Sequence, residues 1–140
     1  MIADFVRTED WPQRLSDFLA DAERRPFVWG EWDCCLFAAD WVLALTGVDV
    51  AAEFRGAYAD EDAALEIVRG YGGMVHMVES LLPDIPLSNP KMARRGDVCV
   101  VDSPLGEALG VCTGERIACA SFDGMVLIAR RKAIAAWRIG

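Results

Sequence analysis

Two adjacent thiols directly after a carboxylate, Asp33, Cys34 and Cys35 in the stretch FVWGEWDCCLFAADW (27–41), are the residues best suited to covalent chemistry in this chain. Asp33 is a good helix N-cap. A cysteine in the first turn beyond it meets unpaired backbone N–H groups and the positive end of the helix dipole, both of which favour the thiolate. Cys34 is therefore the candidate nucleophile. Glu31 and Asp33 oppose this, because negative neighbours hold a thiol protonated. A thiol at its free pKa is only a few per cent thiolate at neutral pH, so attack on an amide calls for a base. The chain has one histidine, His76 in GGMVHMVESLL. Beside apolar Val75, Met77 and Val78 it reads as a partly exposed or satisfied helix residue, with a long-range encounter with Cys34 as the alternative.

The remaining reactive side chains have plainer readings. Cys99, Cys112 and Cys119 lie in short apolar runs and read as small buried hydrophobes on strands. Five cysteines without paired spacing do not make a disulfide framework, and Cys34 and Cys35 are awkward to bridge, so all five are expected as reduced thiols. Closely spaced metal ligands are lacking, and neither a metal nor another cofactor is expected. Arg94 and Arg95 before Gly96, and Arg130, Arg131 and Lys132 near the end, read as solvated faces. Asp97 reads as a turn residue at the start of a strand, or as a contact to a helix end.

The elements that must position Cys34 follow from periodicity. From Asp10, the segment DWPQRLSDFLADAERRP puts Trp11, Leu15, Phe18, Leu19 and Ala22 on one helical face, with Asp10 and Gln13 as a capping box and Pro26 as the stop. A second helix starts at the Asp33 cap, is apolar nearly all round, and closes at Gly47, which makes it the central buried helix. Asp60 caps a third over DEDAALEIVRG, and Gly72 and Gly73 lead into a fourth through MVHMVESLL. Pro83, Pro86 and Pro90 mark a loop. Beyond it come short apolar runs, DVCVVD, EALGVCTG, RIACAS and MVLIA, separated by SPLG, GE and FDG turns. They predict an antiparallel meander packed on the helices, with Ala136 to Ile139 adding a last strand or tucking onto the sheet. The expectation is a single α+β domain over residues 1–140.

The order of these features resembles the NlpC-like cell-wall peptidases of the papain-like superfamily: an aromatic-x-Trp-Gly approach, Asp-Cys opening a buried helix, Gly-Asp starting a strand, then a hairpin of small residues. It is closer to small proteins of phage and prophage tail gene clusters, through WG..DCCLFAADW, TG.D, Gly96-Asp97, LGV.TG and a terminal AWR. The likeness spans roughly Phe27 to Ile139. It implies Cys34 as nucleophile and Cys35 as its packing neighbour. The peptidase histidine, which opens a His-x-Gly-Ile strand, would fall at Ala108 in ALGVCTGERIACAS, and the later polar position at Cys119. Phe27 stands where a tyrosine often precedes Trp-Gly. The resemblance therefore implies a structural, docking protein of a phage tail or tail tip with a dismantled catalytic centre. It would be made in the host bacterial cytoplasm, carried in the virion and partnered by other tail proteins. The alternative is an active cysteine hydrolase on peptidoglycan stem peptides, its base supplied by His76 or a partner subunit.

Composition bounds these readings. A chain of 140 residues that is 54% hydrophobic is long enough to bury roughly 70% of its unfolded surface and build its own core. A net charge of −8 and a pI near 4.6 repel phosphate backbones and anionic lipid, which argues against nucleic-acid and membrane-surface roles. The opening MIADFVRTEDW reads as neither a secretory signal nor a membrane anchor.

Overall fold

The computed structural model describes residues 6–82, 87, 89–103, 106–122 and 124–139. Helices α1 (Trp11–Ala22), α2 (Cys34–Thr46), α3 (Glu61–Gly70) and α4 (Met74–Leu81) precede strands β1 (Val98–Ser103), β2 (Gly106–Cys112), β3 (Arg116–Ser121), β4 (Gly124–Ala129) and β5 (Ala133–Trp137). The fold is α+β, the four helices packing against one five-stranded antiparallel sheet of order β4-β3-β2-β1-β5. The first four strands form the expected meander. The last strand does not extend it but returns to the far edge, pairing with β1 through Val98–Trp137 and Cys99–Ala136. Neighbouring chain segments cannot specify that return; the apolar face of Trp137, wholly buried in the core, does.

Alternation along the strands divides the apolar residues between two faces. Val98 and Val100, Leu109 and Val111, Ala118 and Trp137 turn toward Phe37, Trp41 and Leu45 of α2, and Leu15 of α1 joins the same core. Cys99 and Val101, Cys112, Ile117 and Cys119 form a second cluster on the opposite face, with Ala93, Ala133 and Ala136. The three strand cysteines are thus buried, as their surroundings in the sequence predict. All five cysteines are free thiols. Seven residues of α2 are buried, so it is the central helix. Each large side chain withdrawn from water in this way contributes about 1.5–3 kcal/mol.

The helix caps are mostly as read. Leu36 N–H donates to Asp33 Oδ1 at 2.9 Å, Ala63 N–H donates to Asp60 Oδ1 at 2.8 Å, and Gly47 closes α2 at φ +82°. The capping box proposed for α1 is absent. Asp10 has φ −91° and ψ 22°, away from the extended backbone that turns a cap side chain over the first N–H groups. Its carboxylate instead takes Arg14 Nε at 2.8 Å, and Gln13 donates to Asp17 at 2.9 Å.

Asp97 does more than open a strand. It is wholly buried, its Oδ2 accepting from Arg94 N–H at 2.9 Å and its Oδ1 from Arg7 Nη2 at 2.8 Å. The contact to a helix comes from its neighbour: Trp41 Nε1 on α2 donates to the Gly96 carbonyl at 2.9 Å. Arg94, Arg95, Arg131 and Lys132 are exposed as expected. Arg130 departs from that reading, being half-buried with Nη1 donating to the Ala93 carbonyl at 3.2 Å. Pro83, Pro86 and parts of the SPLG and FDG turns lie outside the described residues; Pro90 opens a short 3-10 turn, Pro90–Met92. Among the described residues, no helix is long and apolar enough to cross a membrane.

Candidate functional site

The start of α2 is held from three directions. Residues 28–32 form a tight loop in which Trp32 N–H donates to the Val28 carbonyl at 2.8 Å and Val28 N–H donates back at 3.0 Å. Gly30, at the loop's tip with φ +80°, donates its N–H to Asp33 Oδ2 at 3.1 Å. The Tyr58 hydroxyl donates to that same oxygen. With Leu36 N–H on Oδ1, both carboxylate oxygens are engaged while Asp33 is buried. Burial and then the Asp33 carboxylate push the Tyr58 phenol well above its ordinary pKa, so it serves as a donor and not as a titrating acid.

Cys34 follows Asp33 and is partly exposed. Its sulfur lies 3.9 Å from that of Cys35. The β2–β3 ladder beside it is short, running only over Val111–Ala118 and Cys112–Ile117, whereas β3–β4 pairs six residues on each strand. The N-terminus of α2 addresses β2 where its pairing with β3 ends. Hydrogen bonding from Cys35 holds the Cys34 thiol below its usual pKa, assisted by Leu109 N–H and opposed by burial and by Asp33. The same pairing, with burial, pushes Cys35 well above the usual value. Cys34 is thus the more readily ionised sulfur of the pair and the candidate nucleophile.

The residues singled out beside it fall on two sides of the sheet. Ala108, half-buried opposite Val101, and Cys119, buried opposite Val126, belong to the second apolar cluster. Burial and then Cys34 push the Cys119 thiol up to about 12, so it is neither nucleophile nor base at neutral pH. Gly110 lies between them: a Cβ there would meet the Ala118 carbonyl oxygen at 2.5 Å and Cys119 Sγ at 2.7 Å. His76 is on the outer side of α4, 68% exposed, with Nδ1 3.8 Å from Glu79 Oε2. It is not brought to Cys34: α4 turns Met74, Met77 and Val78 inward and leaves the imidazole in solvent.

Cys34 and Cys35 also form part of the wall of an apolar cavity of about 200 Å³ enclosed by α2, α3, α4 and β2. Among the described residues, no histidine, lysine or arginine lines it; the exposed residues Glu61 and Glu107 do. Sequence reading missed four contributors: Gly30, Tyr58, Glu61 and Glu107. Gly30 alone left a trace, as the glycine of the Trp-Gly approach. The other three lie in segments that the fold, not periodicity, brings to α2. Among the described residues, no group of three or more histidine, cysteine or acidic side chains is arranged to hold a metal ion.

A family model described as a domain of unknown function (DUF6950) matches residues 6–139. No curated protein matches the chain.

Proposed function

The chain belongs to the DUF6950 family, and on that premise we propose that it is an NlpC-like, papain-like module with a dismantled catalytic centre, serving as a docking component of a phage or prophage tail. The observation that carries the loss of catalysis is the isolation of Cys34 from any imidazole. The chain's one histidine is exposed on α4 with Nδ1 3.8 Å from Glu79 Oε2, and the Cys34 sulfur has the Cys35 thiol beside it at 3.9 Å. Amide cleavage needs a proton donor for the leaving nitrogen as well as a nucleophile, and a positioned acid or base contributes about 10²–10⁴-fold. The thiols of Cys35 and Cys119, both raised far above neutral pH, hold their protons too tightly to exchange them in that role.

The tail assignment, with other tail or tail-tip proteins as partners and assembly in the bacterial cytoplasm before incorporation into the virion, is supported by the sequence likeness over Phe27 to Ile139. The acidic surface suits a protein that does not engage the packaged nucleic acid. The second reading is a working thiol hydrolase on peptidoglycan stem peptides, favoured by the lowered Cys34 thiol.

One experiment separates the two. Purified cell wall is incubated with wild-type protein and with Cys34→Ser, and released stem-peptide fragments are measured. The proposal expects no release above background from either. Release by wild type alone would overturn it and make His76→Ala the next variant. Mass spectrometry of purified particles tests the docking role: the chain should be present, and its absence would reduce it to an assembly factor that leaves the particle.

A further inference from the structure

The cavity beside Cys34 has walls of one chemistry and a mouth of another. Val42 of α2, Ile67 and Val68 of α3, Met77 and Val78 of α4 and Leu109 of β2 give it an apolar lining. Most of the polar side-chain groups deep in its wall are already engaged: both Asp33 oxygens accept internal hydrogen bonds, Tyr58 donates to Asp33, and the two thiols pair with each other. A ligand's polar group would therefore find no partner in Asp33, Tyr58 or the thiols and is best placed at the opening. There the exposed residues Glu61, in the first turn of α3, and Glu107, on β2, contribute to the lining. Neither has an ion-pair partner among the described residues.

We propose that this cavity binds a cationic amphiphile, its alkyl or aryl group filling the apolar space and its ammonium group facing Glu61 and Glu107. Size sets the apolar part. An apolar cavity of about 150 Å³ holds benzene, so about 200 Å³ suits a group of roughly six to eight carbons. Charge sets the rest. Among the described residues, the wall offers no cation to an anionic head group, and the net charge of −8 draws cations and repels anions at long range. The inference stands on the cavity and does not require that Cys34 cleave anything.

The test uses the full chain and three probes of equal length, hexylammonium, hexanol and hexanoate, followed by ¹H–¹⁵N NMR titration with the Leu109, Ile67 and Val78 amides as reporters. Hexylammonium should bind about three- to tenfold more tightly than hexanol, the range expected from two exposed charge interactions, and hexanoate most weakly. In Glu61→Gln/Glu107→Gln, whose substitutions are exposed and leave the core intact, hexylammonium should fall to the level of hexanol while hexanol is unchanged. Ala64→Phe, which places a ring in the cavity from α3, should abolish binding of all three; its dispersed spectrum checks that it folds. Three results would overturn the proposal: no binding by any probe, including through occlusion by a second copy; hexanoate binding as well as hexylammonium; or binding that survives Ala64→Phe in the folded variant. Binding is read without turnover, so its failure and the failure of the non-hydrolytic reading are separate results.

Discussion

Arg7 and Asp97, ninety residues apart, meet at 2.8 Å between Nη2 and Oδ1, with the Asp97 side chain fully buried and that of Arg7 only 11% exposed. The guanidinium also donates Nε to the Ile139 carbonyl at 2.6 Å and Nη1 to the Arg95 carbonyl at 2.7 Å. One side chain near the start of the chain thus ties down the entry to β1 and the residues after β5. Removing either partner strands a buried charge, which costs about 3–5 kcal/mol. Asp97→Ala and Arg7→Ala should each lower the unfolding free energy obtained from urea denaturation by that amount. Arg7→Lys keeps the charge but loses the fork and should still cost about 1–3 kcal/mol.

Among the described glycines, Gly30 leaves the least room for a side chain, because the Tyr58 backbone lies against it. A Cβ on Gly30 would lie 2.0 Å from the Tyr58 carbonyl oxygen, at a φ of +80° that side chains resist. Gly30→Ala should therefore be among the most damaging single changes, combining backbone strain of about 1–3 kcal/mol with displacement of the segment that anchors Asp33. Gly47→Ala is the control: φ is +82° but nothing lies within 4 Å, so strain acts alone and the cost should be about 1–2 kcal/mol. Thermal melts of the two variants check the difference.

Thiol reactivity should follow the hydrogen bonding of the cysteine pair. A lowered pKa means more thiolate at neutral pH, so Cys34 should be alkylated first by iodoacetamide, with the midpoint of its pH–rate profile below that of a free cysteine. Cys35→Ala removes the main group holding the Cys34 pKa down. The midpoint should move up and the rate at pH 7 should fall, whereas Cys35→Ser, which keeps a donor, should preserve much of the effect. Cys99, Cys112 and Cys119, all raised by burial, should label only on unfolding. Mass mapping of the modified sites checks the order.

Arg55 bridges two carboxylates, with Nη1 2.6 Å from Asp40 Oδ1 on α2 and Nη2 3.1 Å from Asp49 Oδ1 just beyond it. All three side chains are between a fifth and a third exposed, so solvent screens the network. Arg55→Met, which keeps the apolar stem, should cost about 1 kcal/mol at low salt and less at 1 M salt. A loss independent of salt would mean that Arg55 acts through packing.

Local chemistry was written in the chain itself. The cap at Asp33, the all-round apolar character of α2, the glycine stop at Gly47, the Asp60 cap and the short apolar runs of the strands between turns are short-range signals, so helix positions, strand positions and the place of Cys34 at a helix start could be read without coordinates. The failed capping box at Asp10 shows the limit of that reading: the residue types were suitable, but backbone angles chose an Arg14 partner instead. What depended on residues far apart was decided only in three dimensions. β5 crosses to the edge beside β1, Asp97 is neutralised by Arg7, Tyr58 reaches Asp33 over 25 residues, and Glu61 and Glu107 come from a helix and a strand to line one cavity. No residue announces such a partner, because the free energy that selects it comes from burying the whole core and satisfying its polar groups together, not from the few residues on either side.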